Sequence, residues 1–188
     1  MAGEHDMSAT PAKDRIEITQ PSTYIGKLLD LLGSRDPLEV LAATADALEG
    51  ILRGKPARLL QSRPFEGKWT PNEVLGHLAD TEWVYGFRIR LILCEDRPTI
   101  LGMDQEKWVI GQRRNERDPA DQLEEFRALR GRNLELWRGM RPADLERVGL
   151  HNERGEESLG LMRRVIAGHD LSHIDQLTRY VAAAAGGR

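Results

Sequence analysis

Apolar residues recur at three- and four-residue steps over four long stretches of the chain, which is the spacing of amphipathic helices. Before the first stretch, PSTYIGKLLDLLG predicts a short helix that ends at Gly33. The first long helix is predicted from the N-cap residue Asp36, which is followed by Pro37, to about Gly54. Its apolar stripe consists of Leu38, Leu41, Ala45, Leu48 and Leu52.

The second long helix has the strongest start signal in the chain. Thr70 stands at the N-cap, Pro71 comes first in the helix, and Glu73 completes a capping box. The helical pattern continues to about Cys94, after which periodicity is lost for more than twenty residues. Within this connection we expect a short helix that begins at Asp104 and directs Trp108 inward. A connection of this length in a compact domain is usually functional or crosses the end of a bundle.

Two further helices complete the pattern. Asp118 and Pro119 repeat the cap-then-proline signature at the start of the third long helix, and Ser158 caps the fourth, which runs to the alanines before Gly186. The predicted apolar stripe of the third helix consists of Leu123, Phe126, Leu129, Asn133, Leu136 and Met140. No segment alternates convincingly enough to predict a strand, and no internal repeat is present.

These elements predict an all-α fold, a four-helix bundle with long connections between the second and third and between the third and fourth long helices. We expect this domain to occupy residues 21–185. Residues 1–20 are polar and turn-rich, without periodicity, and are predicted to form a flexible tail.

Composition narrows the functional classes. A formal net charge of -3, with basic residues spread among acidic ones, gives no basic surface for nucleic acid. The single cysteine, Cys94, excludes an internal disulfide and a cysteine-rich zinc site, and we expect it to be a small buried hydrophobe. The chain lacks a signal-peptide pattern and an apolar run of roughly 20 residues, so we expect a cytoplasmic protein without a membrane span.

The stretch IAGHDLSHIDQL places His169 and His173 one turn apart on the core face of the fourth helix. Burying two imidazoles there without partners would cost on the order of 1–3 kcal/mol each. Hydrogen bonds to neighbours are one way to satisfy them, and a bound metal ion is the other. On the second helix, His77 also faces inward, and it is the candidate for a third metal ligand.

Other residues that could belong to a metal site carry a less specific signal than these three histidines. Gly76 and Gly168 each precede a histidine and indicate close helix approach, either around a site or through simple packing. His5 falls in the tail, and His151 in a charged loop where we expect solvent exposure. Candidates for supporting roles are the carboxylates of Asp80, Glu82, Asp104, Asp170 and Asp175. Asp170 is expected at the surface or between helices, and Asp104 as a helix N-cap.

Arg88 lies eleven residues after His77, on the same face of the second helix. It could bind a substrate carboxylate, pair with a buried glutamate, or extend to the end of the bundle. The four tryptophans, Trp69, Trp83, Trp108 and Trp137, are expected to pack in the core and at helix ends rather than to form a ligand cage.

Three segments together, KWTPNEVLGHLADTEWVYGFRIR, LGMDQEKW and IAGHDLSHIDQL, resemble the DinB-like superfamily. The similarity extends from about Leu38 to Tyr180 and keeps the order of the motifs. It implies a helical bundle that holds a divalent metal ion through His77, His169 and His173. The family includes thiol-dependent transferases and isomerases, metal-dependent hydrolases, and proteins without a known reaction, and homodimers are frequent in it.

A dication held by three imidazoles can activate either bound water or a bound thiol at neutral pH. The hypothesis is therefore that the protein is a thiol S-transferase or a hydrolase that acts on a small molecule. Its possible partners are a low-molecular-weight thiol and a second copy of the chain. Zinc, nickel and iron all suit three nitrogen ligands. The alternative is a stress-response or binding module, without catalysis, in which the metal is structural or absent. No catalytic residue is identified.

Overall fold

The computed structural model describes residues 21–186, so the predicted tail at residues 1–20 lies outside the described residues. Eight α-helices and three short strands follow one another along the described chain. They are α1 (Pro21–Leu32), α2 (Pro37–Leu52), α3 (Ala57–Leu60), α4 (Pro71–Cys94), β1 (Thr99–Ile100), α5 (Gln105–Gly111), α6 (Pro119–Gly139), α7 (Pro142–Leu145), β2 (Val148–His151), β3 (Gly155–Ser158) and α8 (Leu159–Gly186). A 3-10 turn at Arg114–Glu116 links α5 to α6.

The predicted helix starts are confirmed at the level of individual hydrogen bonds. Asp36 accepts from the backbone N–H groups of Leu38 and Glu39, and Thr70 forms the full capping box with Glu73. The Ser158 hydroxyl accepts from the N–H of the third residue of α8. Each cap satisfies amide groups that have no partner inside the helix, which is why the sequence marks these boundaries clearly.

The four long helices α2, α4, α6 and α8 form the predicted bundle. α8 packs against α2 and α4, and α6 packs on the other side of the same two helices. The short helix α1 lies along α8, where the backbone of Leu28 approaches Gly168 so closely that a Cβ there would lie 2.1 Å from the Leu28 carbonyl oxygen. No helix of residues 21–186 is long and apolar enough to cross a membrane.

A small sheet at one end of the bundle was not predicted. β1 pairs with β2 in parallel, with Thr99 opposite Leu150, and β2 pairs with β3 in an antiparallel hairpin. Gly155 supports the hairpin turn with a φ of +82°, a conformation that favours glycine. The sheet joins the two long connections of the bundle, one after α4 and one before α8.

Two apolar clusters make up the core, and polar side chains lie between them. The cluster nearer the sheet contains Leu32, Leu41, Ile89, Ile92, Ile100, Trp137, Leu159, Met162 and Ile166. The other contains Leu48, Leu59, Leu60, Val74, Leu75, Leu78, Phe126, Leu177 and Tyr180. Polar side chains of the four long helices lie at or beside the boundary between these sets, and we call them the polar layer: Thr44, His77, Glu82, Arg130, Asn133, His169, Asp170 and His173.

Several sequence expectations are wrong at the level of single side chains. His151 is only 3 % exposed, because it lies on β2 rather than in a loop. Cys94 is exposed rather than buried, since it is the last residue of α4. Trp108 is 41 % exposed and does not enter the core. On α6, Gln122 and Arg130 are buried where the apolar stripe predicted leucines.

Candidate metal centre

Three histidines meet in the polar layer. His77 comes from α4, and His169 and His173 come from successive turns of α8. The Nε2 atom of His169 lies 3.2 Å from that of His77 and 3.0 Å from that of His173. His77 and His169 are buried, and His173 is half-buried. The structure thus brings together the three side chains singled out in the sequence, and their role as ligands stays a prediction.

Burial keeps the three imidazoles neutral. It lowers the pKa of His77 and of His169 well below the ordinary value of histidine, and the neighbouring His173 adds to the effect. It also lowers the pKa of His173 to about 4, although a hydrogen bond with Gln176 acts in the opposite direction. Neutral imidazole is the form whose free lone pair binds a metal ion, so all three rings are competent at neutral pH.

The arrangement of donor atoms fits one divalent cation. One nitrogen of each ring lies within 4.8 Å of the corresponding atoms of the other two. Nitrogen ligands at about 2.0–2.1 Å from a tetrahedral zinc ion lie about 3.3 Å apart, close to the spacing seen here. The Nε2 of His169 faces two other ring nitrogens, and a single cation would satisfy all three lone pairs, which one shared N–H cannot do.

The surroundings of the rings differ. The Nδ1 of His173 lies 2.7 Å from the Gln176 side-chain oxygen, and such a bond places the proton on Nδ1 and leaves Nε2 free as a ligand. The Nδ1 atoms of His77 and His169 are buried without a hydrogen-bond partner among the described residues. The Trp69 ring lies 5.1 Å from the His77 ring, centroid to centroid, and shields one side of it.

The carboxylates of Glu82 and Asp170 are engaged by Arg130 rather than by the histidines. The guanidinium donates to Glu82 Oε1 at 2.9 Å and to Asp170 Oδ2 at 2.6 Å, and all three side chains are buried. Thr44 also donates to Asp170, at 2.7 Å. Burial raises the pKa of Asp170, while the charge of Arg130 opposes this. Asp170 thus lies between helices, one of the two placements expected from the sequence.

Asp80 and Asp104 also have other partners. Asp80 Oδ1 accepts from Arg114 and, at 2.7 Å, from Gln112, while its Oδ2 is buried without a partner among the described residues. Asp104 is the N-cap of α5, as expected, and accepts from the N–H of Lys107. Asp80, Glu82 and Asp104 therefore do not join the histidine cluster within residues 21–186.

The two glycines beside the histidines are explained by packing. At Gly76 a Cβ would lie 2.5 Å from the Gln122 side chain and 2.6 Å from that of Arg114. At Gly168 the obstacle is the backbone of α1 at Leu28. In both cases the contact comes from a neighbouring segment that the glycine allows to approach, and not from the histidines themselves.

A cleft of about 760 Å³ opens between α4, α5 and the segment around β1. Its walls are mainly apolar: Trp83, Val84, Phe87, Leu91, Leu101, Met103 and Trp108. Trp83 and Trp108 thus line a cleft, whereas the tryptophans were expected from the sequence to pack in the core and at helix ends. Trp83 is 57 % and Phe87 65 % exposed, so this face of α4 is uncovered in the described chain. The strong helical signal of α4 concealed the cleft, because periodicity shows which residues share a face but not whether that face is covered.

Buried arginines are the polar residues near the site that the sequence did not reveal. Arg114 and Arg130 are 1 % and 3 % exposed, and each holds two carboxylates. The only sign of them in the sequence is an arginine at a core position of a helical pattern. Arginine is mostly exposed in proteins, so its residue type alone predicts contact with solvent. Arg88 was singled out and is 4 % exposed, with its guanidinium carbon 5.1 Å from the centre of the Tyr85 ring.

Comparison with known proteins gives a consistent family match. A model of the DinB superfamily matches residues 40–177. A protein of Oceanobacillus iheyensis, named "putative metal-dependent hydrolase", is 32 % identical over 113 residues, which are 60 % of this chain and 64 % of that protein. A Bacillus mycoides protein of the same name is 31 % identical over the same share of both chains. The similarity thus spans just under two thirds of the length of these relatives.

A solved structure shares the fold. YfiT from Bacillus subtilis, described as "a probable metal-dependent hydrolase with an unusual four-helix bundle topology", aligns over 93 % of this chain and 94 % of its own. The TM-score is 0.69 and the sequence identity 22 %. At this identity the likeness establishes the four-helix architecture, and the chemistry has to be argued from the residues of this chain.

Proposed function

This chain belongs to the DinB superfamily, and from that premise we propose that it is a metal-dependent hydrolase whose divalent ion is held by His77, His169 and His173. The observation that carries the proposal is the convergence of the Nε2 atoms of two buried histidines and one half-buried histidine, without a fourth protein ligand among the described residues. Three ligands with an open position suit a catalytic site, whereas structural zinc sites usually have four.

When bound, a dication at this position would lower the pKa of a coordinated water molecule toward neutrality and so supply a nucleophile. The three histidines bring no negative charge, so the full charge of the ion remains available for this effect. Gln176 holds the tautomer of His173 that leaves Nε2 free. Trp69 and the apolar cluster below His77 limit the access of bulk water to that side of the site.

A low-molecular-weight thiol could take the place of water at the same open position, which would make the protein a thiol S-transferase. This finer assignment, the homodimeric state and a cytoplasmic location rest on the family resemblance, and they remain predictions. The choice between zinc, nickel and iron also stays open to measurement, because three imidazoles suit all three ions.

Metal content provides the direct test. The purified protein should hold one divalent ion per chain by inductively coupled plasma mass spectrometry, and His173→Ala should lose it. Asp175→Asn is the matched control, because Asp175 is an exposed residue of the same helix whose partner is Arg179. Equal metal content in His173→Ala and in the wild type would remove the basis of the proposal.

The non-catalytic alternative makes a different prediction. A structural ion would raise thermal stability but would not support turnover of ester, amide or thiol-acceptor substrates by the metal-loaded protein. Hydrolysis that depends on added metal and is absent in His77→Ala would therefore decide for the enzyme. Turnover that survives in His77→Ala would decide against the assigned site.

A further inference from the structure

The cleft between α4 and α5 has a feature that its apolar walls do not explain. Arg88 lies in its lining and is 4 % exposed, yet no carboxylate of residues 21–186 forms an ion pair with it. Its Nη2 donates to the backbone oxygen of Leu101, and its Nε is buried without a hydrogen-bond partner among the described residues. Two acids, Glu157 and Glu153, act on Arg88 through their charge without forming an ion pair with it, and Tyr85 shares a hydrogen bond with it. Glu157 is held by Arg154, with one N–O distance of 2.9 Å.

A buried cation without a direct ion pair is costly, because more distant opposite charges offset its desolvation only in part. Arg114 and Arg130, the other buried arginines described above, each contact two carboxylates. Contact with the Tyr85 ring offsets only part of the cost at Arg88. The guanidinium therefore has unused capacity for an anion, and a planar carboxylate matches its geometry.

The opposite end of the cleft carries a carboxylate, Asp80, that already forms an ion pair with Arg114. Asp80 also lies in its lining, one turn along α4 from His77, with Oδ2 buried and unpartnered among the described residues. The eight residues from Asp80 to Arg88 correspond to about 12 Å along a helix. At the Asp80 end the guanidinium of Arg114 is already shared by two carboxylates, whereas Arg88 donates to a backbone oxygen, so a ligand carboxylate is favoured at the Arg88 end.

We propose that this cleft binds an amphipathic carboxylate, an aryl- or alkyl-chain acid, with its carboxylate on the Arg88 guanidinium and its apolar body between Trp83, Phe87 and Trp108. The three histidines do not line the cleft, but Asp80 at its other end lies one turn along α4 from His77, so the far end of such a ligand would lie at the end of the cleft nearer the histidine cluster. The assignment of this acid as the enzyme's substrate class rests on the proposed hydrolase function, whereas its binding does not.

Three probes of one shape test the proposal: 4-phenylbutyrate, 4-phenylbutanol and 4-phenylbutylamine. Quenching of the cleft tryptophans or isothermal titration should give a Kd for the butyrate at least tenfold lower than for the alcohol, a difference of about 1.4 kcal/mol. Arg88→Met should abolish this preference and leave the Kd of the alcohol within twofold. Arg164→Met, at an exposed position of α8, should keep the preference.

A second variant guards against misfolding of Arg88→Met. Phe87 is 65 % exposed, so Phe87→Glu should fold, and it places a negative charge at the cleft mouth that should weaken butyrate binding at least tenfold. Tightest binding of the amine, equal binding of butyrate and alcohol, or no saturable response to any probe would overturn the proposal. If no probe gives a saturable response and the protein is a dimer in solution, the uncovered face of α4 would instead be assigned to contact with a second copy of the chain.

The measurements are made on the protein as purified and again after treatment with a chelator. If butyrate still binds to a protein found to hold no metal, the proposed ligand of the cleft is supported and the proposed hydrolase function is refuted. If the protein holds one metal ion per chain but does not prefer butyrate over the alcohol, the hydrolase proposal stands and the proposed ligand of the cleft is refuted.

Discussion

Gly168→Ala offers a sharp test of how α1 is held against the bundle. An alanine Cβ at this position would lie 2.1 Å from the Leu28 carbonyl oxygen and 2.7 Å from its carbonyl carbon. Ordinary contact begins near 3.4 Å, so the backbone of α1 would have to retreat by at least 1.3 Å. Because a backbone group cannot rotate away as a side chain can, we expect a cost at the upper end of overpacking effects, about 3 kcal/mol.

Part of that cost is offset by helix propensity, since alanine is favoured over glycine by about 1 kcal/mol in a helix interior. The net expectation is a loss of about 2 kcal/mol in the free energy of unfolding. Gly131→Ala is the matched control, because Gly131 lies within α6 and a Cβ there meets nothing within 4 Å. That variant should gain about 0.5–1 kcal/mol.

Urea unfolding followed by far-UV circular dichroism measures both variants against the wild type. The two alanine substitutions should differ by about 3 kcal/mol and in opposite directions, with similar m-values. Equal stabilities for the two would refute the close approach of α1 to α8. A Gly168→Ala protein of reduced m-value would show that α1 had detached and that the remaining bundle unfolds alone.

Two further predictions concern the polar layer. Arg130→Met should lower the free energy of unfolding by about 3–5 kcal/mol, because it leaves Glu82 and Asp170 buried without their counter-ion. The control Arg132→Met, at an exposed position of α6, should change the free energy of unfolding by less than about 0.5 kcal/mol in the same urea assay. In metal-free protein, stability should fall as the pH drops from 6.5 toward 4, because burial lowers the pKa of His173 to about 4 and the unfolded chain binds the proton first. The share of His173, on the order of 3 kcal/mol at pH 4 relative to pH 7, should be missing in His173→Gln, and the loss that remains there comes from His77, His169 and His151, whose pKa values burial also lowers.

The helices were predictable because their starts carry local chemistry. Asp36, Thr70 and Asp118 each satisfy amide groups within three residues, so the sequence contains both partners of the interaction. The sheet was not predictable in this way. β1 has two residues, and its pairing with Leu150 and His151 depends on contacts some fifty positions away.

The histidine cluster could be anticipated for a similar reason. His169 and His173 lie one helical turn apart, and helical periodicity alone places them on the inner face together with His77. The guanidinium network around Arg130 could not be anticipated, because an arginine in a helical pattern is most often solvated. Its burial depends on Glu82 and Asp170, which two other helices supply.

The division of the core by the polar layer has a consequence for sequence variation in the family. Glu82, Arg130 and Asp170 belong to three different helices. Loss of Arg130 leaves both carboxylates without their counter-ion, and loss of either carboxylate leaves donors of the buried guanidinium without an acceptor. Single substitutions at these positions should therefore be rare among homologues. Homologues should either keep the whole trio or replace it together, so that the three positions covary in an alignment more strongly than the leucines on either side of them.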